Sequence, residues 1–333
     1  MKLTPGKLAG LKKVSNDRGV IAAAAMDQRG SLQKSLAKEK GGEVTDAMME
    51  EFKSLVTEVL TPHASAILLD PEWGLPASKR RAKNAGLLLA YEKTGYDKTG
   101  PGRLPDLLDL WSARRLKEAG ADCVKILLYY TPFDPKKIND HKHAWVERIG
   151  DECRANDIPF FLEFVGYEEG ADEKGLEYAK KKPQIVTESM KEFSKDRYGV
   201  DVLKVEVPVN MKFVEGTKSF AGQKAYGKKE AIDLFHQAVY LPVGGREQCR
   251  IQRDARARRR VRCEVQRRAL RPRHLERRYP RLRKARCRRL PQVARDRRRE
   301  EHRQREQQVE GRDVVVFDLP GRAGFGGGVE RLM

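Results

Sequence analysis

A lysine stands inside an apolar run, Val200-Asp201-Val202-Leu203-Lys204-Val205-Glu206-Val207-Pro208. The β-branched residues, the proline after them and Gly199 before them predict a buried strand. An ammonium in an apolar wall costs several kcal/mol unless it is paired or loses its proton. The neutral amine is a nucleophile suited to imine (Schiff-base) chemistry. The plainer alternative is an ion pair with Glu206, one pleat away on the same face. Two further strand-like runs carry a polar group in mid-run: Lys125 within 121–130 and Glu163 within Phe160-Phe161-Leu162-Glu163-Phe164-Val165. A second ammonium near Lys204 would lower its pKa, and apolar flanks would raise that of Glu163, as a proton shuttle requires. The alternatives are a phosphate contact or pairing with Asp122 or Glu163 for Lys125, and a buried partner for a strand lysine for Glu163.

Asp27, Gln28 and Arg29 follow a first apolar strand, Val20 to Met26. Asp27 could bind a substrate hydroxyl or cap the next helix. Arg29 could meet a phosphate or point into solvent. Asp70, before Pro71, reads as a turn residue. His63, His141, His143 and His236 do not form a metal-ligand pattern; His141 and His143 alone are close, and a surface role is expected for them. No metal and no dissociable cofactor are expected.

The elements that must position these residues follow from periodicity. Apolar strands are predicted over 20–26, 65–70, 86–92, 121–130, 158–165 and 200–208, and helices over 7–15, 44–60, 106–119, 143–155 and 184–195. Continuous apolar runs are expected of parallel strands buried on both faces. Their alternation with helices predicts an α/β fold, a (β/α)8 TIM barrel with chemistry at the C-terminal strand ends. A doubly wound sheet fits less well, because no GxGxxG follows the first strand. Six strands are visible and two are missing.

The net charge of +20 is unevenly placed. Residues 1–237 hold 39 Lys+Arg against 36 Asp+Glu, and residues 238–333 hold 29 against 12. Residues 246–312 contain 26 arginines and one lysine, Lys284. A basic arm for nucleic acid would be rich in both cations and interleaved with aromatics, but Tyr279 is the lone aromatic there. Arginine scattered among Cys, Gln, Pro and His is what a GC-rich gene yields out of frame. Back-translating from Val239 and reading one nucleotide later allows YIYLSAGVSN. From Gln266 the same shift allows NGVLCGRATWKDGIPVYAKH. Both have strand and glycine-turn character. The expectation is a single-nucleotide frameshift near Gln237 or Ala238, with 1–237 an in-frame barrel portion. Residues 238–333 would then be out of frame, disordered or ill-packed, and strands 7 and 8 lost.

The chain resembles the class I tagatose 1,6-bisphosphate aldolase family. The resemblance rests on AMDQRGSL (25–32), ILLDPEWG (67–74), LLAYEKTGYD (88–97), RLPDLLDLWSARRLKEAGADCVKILLYY (103–130), FFLEFVGY (160–167) and VDVLKVEVPVN (200–210). It implies a TIM-barrel lyase that cleaves D-tagatose 1,6-bisphosphate to dihydroxyacetone phosphate and glyceraldehyde 3-phosphate in lactose and galactose catabolism. It implies Lys204 as the Schiff-base lysine, Glu163 as the acid/base, Lys125 as a second active-site lysine, and Asp27 and Gln28 as polar residues at the mouth of the first strand. Another ketose phosphate is the alternative substrate. The expected partner is a small-molecule sugar bisphosphate, with no membrane and no nucleic acid, and homo-oligomeric assembly stays open. Five cysteines without CxxC spacing, no apolar signal core and no apolar run near ~18 residues point to a cytoplasmic protein.

Overall fold

Strand β4 (Cys123–Tyr130) and strand β5 (Phe160–Gly166) are the longest, and they pair in parallel over seven residue pairs, from Val124↔Phe160 to Tyr130↔Gly166. In the computed structural model they lie inside a six-stranded parallel sheet. Its other strands are β1 (Ala23–Ala25), β2 (Ala66–Leu69), β3 (Gly86–Ala90) and β6 (Val202–Lys204), and the spatial order follows the chain. The structure describes residues 3–93, 96 and 99–239. The expected strands 7 and 8, and the whole Arg-rich stretch 246–312, lie outside the described residues.

Successive side chains of a strand point to opposite faces, and here both faces are covered. Val124, Ile126, Leu128 and Tyr130 of β4 and Phe160, Leu162 and Phe164 of β5 pack with Trp145, Val146 and Ile149. Those three belong to helix α6 (Lys136–Ala155). The opposite face holds a second, smaller layer of Ala66, Leu68, Leu88, Cys123, Phe161 and Val202. Leu11 and Val14 of helix α1 (Pro5–Val14) close that layer. Each Leu or Phe so buried contributes about 1.5–3 kcal/mol.

Helix α1 is fixed by charge as well as by packing. The Asp157 carboxylate accepts from Gly6 N at 2.9 Å and Lys7 N at 3.1 Å, satisfying donors that the first helical turn leaves open. Lys7, buried, pairs with Asp201 at 2.7 Å, and Asp201 also accepts from Phe160 N at 2.9 Å. The first turn of the chain is thereby tied to the start of β6.

The remaining helices are α2 (Gly30–Lys40), α3 (Asp46–Leu60), α4 (Leu75–Ser78), α5 (Ala113–Glu118), α7 (Leu176–Phe193) and α8 (Lys228–Val239). A separate short parallel ladder joins β7 (Val214–Glu215) to β8 (Tyr226–Gly227).

Several predicted boundaries need correction. The helix expected over 106–119 is only six residues long. Residues 106–108 instead run beside the end of β3, with a bridge Glu92↔Leu107 and Leu108 N donating to Tyr91 O at 3.0 Å. Ser112 then caps α5 by accepting from Arg115 N. Helix α6 begins seven residues before the expected 143, because Asn139 and Lys142 bury polar groups that find partners. Asn139 donates to Thr131 O at 3.1 Å, and Lys142 donates to Tyr167 Oη at 2.8 Å. Helix α7 begins at Leu176 rather than 184 and carries Pro183 inside. Strand β6 stops at Lys204 rather than 208, and Glu206 leaves the ladder to accept from Gly166 N at 2.8 Å and pair with Lys182 at 2.9 Å.

Candidate active site

Three charged side chains from neighbouring strands meet. Lys125 is the third residue of β4, Glu163 the fourth of β5 and Lys204 the last of β6. Glu163 and Lys204 are direct cross-strand partners. Lys204 Nζ lies 3.0 Å from Glu163 Oε1, and Lys125 Nζ lies 3.0 Å from Glu163 Oε2. One carboxylate therefore stands between two ammonium groups. The pairing of Lys204 with Glu206 is overturned, since Glu206 turns to Lys182 and the partner of Lys204 is on the neighbouring strand.

Lys125 is buried and surrounded by acids. Its Nζ donates to Asp27 Oδ2 at 2.8 Å and to Glu92 Oε1 at 2.9 Å, besides the contact to Glu163. Burial disfavours its charge, but Asp27, Glu92 and Glu163 outweigh that and hold its pKa above the ordinary lysine value. Asp122, the alternative partner, instead accepts from Leu87 N at 2.8 Å. Burial also pushes Glu92 up, as Asp27 does, against the pull of Lys125.

Asp27 does not cap the next helix. The N-cap of α2 is Arg29, without a side-chain cap bond, and the Asp27 carboxylate belongs to Lys125. Gln28 is half-buried, and its carbonyl accepts from Lys53 Nζ at 2.8 Å. Arg29 does not point into solvent. It is 4 % exposed, donates to Glu92 O at 2.5 Å and lies 3.6 Å from Glu72. Its guanidinium thus braces the end of β3.

Asp70 makes the expected turn, accepting from Glu72 N at 3.0 Å and Trp73 N at 2.8 Å. It also pairs with Lys53 of α3, which is fully buried. Burial lowers the Lys53 pKa, and Asp70 offsets part of that. The sequence alone assigned no role to Lys53 or to Glu92, the last residue of the strand predicted over 86–92. A signal for Lys53 existed: Met49, Lys53 and Thr57 recur at four-residue spacing on the buried face of α3. His141 is exposed, whereas His143 is half-buried and hydrogen-bonded to Tyr130 Oη at 3.1 Å. Among the described residues no group of three His, Cys, Asp or Glu is placed to hold a metal ion, and no helix is long and apolar enough to cross a membrane.

The arrangement can bind a carbonyl compound covalently at Lys204 and pass protons through Glu163. The chain is also similar to known proteins. Tagatose 1,6-diphosphate aldolase 2 of Enterococcus faecalis (strain ATCC 700802 / V583) is 58 % identical over 247 residues, covering 73 % of each chain. Tagatose 1,6-diphosphate aldolase of Listeria monocytogenes serovar 1/2a (strain ATCC BAA-679 / EGD-e) is 57 % identical over 253 residues, covering 73 % of this chain and 74 % of that one. Among solved structures, fructose-bisphosphate aldolase from Slackia heliotrinireducens DSM 20476 matches at 13 % identity with a TM-score of 0.45, over 72 % of this chain and 70 % of that one. The model of the DeoC/LacD family aldolases matches residues 21–242, and the chain belongs to that family.

Proposed function

We propose that this chain is a class I aldolase that cleaves D-tagatose 1,6-bisphosphate to dihydroxyacetone phosphate and glyceraldehyde 3-phosphate through an imine on Lys204. The observation that carries the residue assignment is the line Lys204–Glu163–Lys125, with 3.0 Å at each step. The substrate rests on the names of the relatives at 57–58 % identity.

The chemistry follows from that line. Glu163 takes a proton from the Lys204 ammonium, and the freed amine attacks the ketone carbon. The carbonyl oxygen receives the proton back from Glu163, giving a carbinolamine that loses water to the protonated imine. The imine then accepts the electron pair of the breaking C3–C4 bond, while the C4 hydroxyl passes its proton to the Glu163 carboxylate and leaves as the aldehyde. Glu163 returns that proton to C3 of the enamine, and water hydrolyses the resulting imine to free dihydroxyacetone phosphate and Lys204. Asp27, Glu92 and Glu163 raise the Lys125 pKa and favour its charged form. Lys125 serves as a positive charge beside Glu163, which favours return of that carboxyl to its ionised state. Asp27 sets where Lys125 sits. No dissociable cofactor enters this sequence.

The test is chemical capture. Borohydride added with dihydroxyacetone phosphate reduces the imine to a stable adduct that mass spectrometry places on Lys204. Lys204→Met abolishes it. An adduct on another lysine, or none in the parent chain, removes the assignment.

A further inference from the structure

Lys53 lies outside the line of groups that handle the substrate, yet its contacts converge on that line. Its Nζ donates to Met26 O at 2.9 Å and to Gln28 O at 2.8 Å, and it is hydrogen-bonded to the Asp70 carboxylate. Met26 and Gln28 are the residues on either side of Asp27. Two carbonyls that flank one peptide unit are thus held by a single ammonium delivered from α3.

A bond between helix and sheet could be made far more cheaply. A fully buried ion pair gives little net stability, because desolvation consumes most of the attraction. What an ammonium offers over a hydroxyl is three donors on one atom. All three are used here, and two are used on the backbone that sets the direction of the Asp27 side chain. From the sheet side Met26 N donates to Leu68 O at 2.8 Å, and Lys53 holds the carbonyl face of the same stretch. Asp70, the counter-charge, is itself fixed by the amides of Glu72 and Trp73. The sequence of contacts runs from Asp70 to Lys53, to the carbonyls around Asp27, to Lys125 and to Glu163.

We infer that Lys53 is a positioning residue for imine formation: it orients Asp27, and through Asp27 it keeps Lys125 against Glu163. This rests on the assignment of Lys204 and Glu163 above. It also predicts direction of effect. Without the clamp, Asp27 moves off Lys125, and the rate of imine formation falls while affinity for the ketone changes little.

The experiment uses the 333-residue chain, dihydroxyacetone phosphate and borohydride. The limiting capture rate and half-saturating concentration are measured for the parent, for Lys53→Met, and for Lys53→Met with Asp70→Asn. The double variant removes both buried charges at nearly constant volume, so it folds even where the single variant does not. Thermal melting reports folding. A limiting rate down by about tenfold or more, with half-saturation nearly unchanged, is the expected result. In an Asp27→Asn background the same Lys53 change has no further effect, since the two act in series. A folded variant whose limiting rate stays at the parent value, or losses that add fully to that of Asp27→Asn, overturns the inference. Failure of both Lys53 variants to fold assigns the residue to packing and overturns it as well. Absence of capture in the parent is a separate outcome that removes the Lys204 assignment itself.

Discussion

Glu163 meets Lys204 through one oxygen and Lys125 through the other, so its charge answers to both. Replacing it by Gln keeps the shape and removes the proton acceptor. Glu163→Gln is expected to slow imine capture by about 10²-fold, with the Lys204 adduct still formed at long times, as read by a capture time course. The sequence already pointed to these three residues, because each interrupts an apolar run. The surroundings of Glu163 were less legible. Its neighbours in sequence are phenylalanine and leucine, which suggests an apolar pocket, yet side chains alternate on a strand and the carboxylate faces two ammonium groups instead. Glu92 and Lys53 were hidden for a related reason. Each sits where a charged residue is ordinary, at a strand end and in an amphipathic helix, and only the fold places it among buried partners.

Between elements, the joint of α6, α7 and the turn at Asp196–Tyr198 is built on one carboxylate. Glu192 accepts from Lys195 at 2.5 Å, Tyr198 Oη at 2.5 Å and Arg197 at 2.9 Å. Partial burial pulls its pKa up, but these donors outweigh it and bring it from 4.5 down to about 2. A carboxylate whose pKa falls on folding adds stability in full above its unfolded value and loses it as the pH drops toward the folded one. Acid unfolding of the parent therefore steepens between about pH 4.5 and 2. Glu192→Gln flattens that limb and lowers stability at neutral pH, measured as the melting midpoint against pH. The close fit of this joint shows at Gly150 of α6, where an added Cβ would run into the carbonyl oxygen of Tyr198. Periodicity read β4 and β5 well, because both faces of each are apolar over most of their length. It overextended α5 and β6. In the first case Pro105 and Asp106 begin a stretch that pairs with the end of β3. In the second, Val205 and Val207 continue the β-branched run but are 38 % and 54 % exposed, and the ladder has already ended.

For the whole molecule, the proposed frameshift makes the sharpest claim. The chain as written is expected to capture dihydroxyacetone phosphate on Lys204 yet turn over little bisphosphate, because the loops after strands 7 and 8 often hold the phosphate in barrels of this kind. A gene that continues from Val239 in the shifted frame should give a higher melting temperature and full turnover. Equal turnover of the two products, in a coupled assay for glyceraldehyde 3-phosphate, contradicts the frameshift reading. The pairing of Lys7 with Asp201 also bears on the order in which the molecule is made. The ribosome delivers α1 first and the carboxylate it needs 194 residues later. Until that carboxylate emerges, closing the helix over the sheet would bury a cation without its partner, at a cost of several kcal/mol. Stable docking of α1 on the apolar layer beneath it is therefore expected to wait for β6, the strand that brings Asp201.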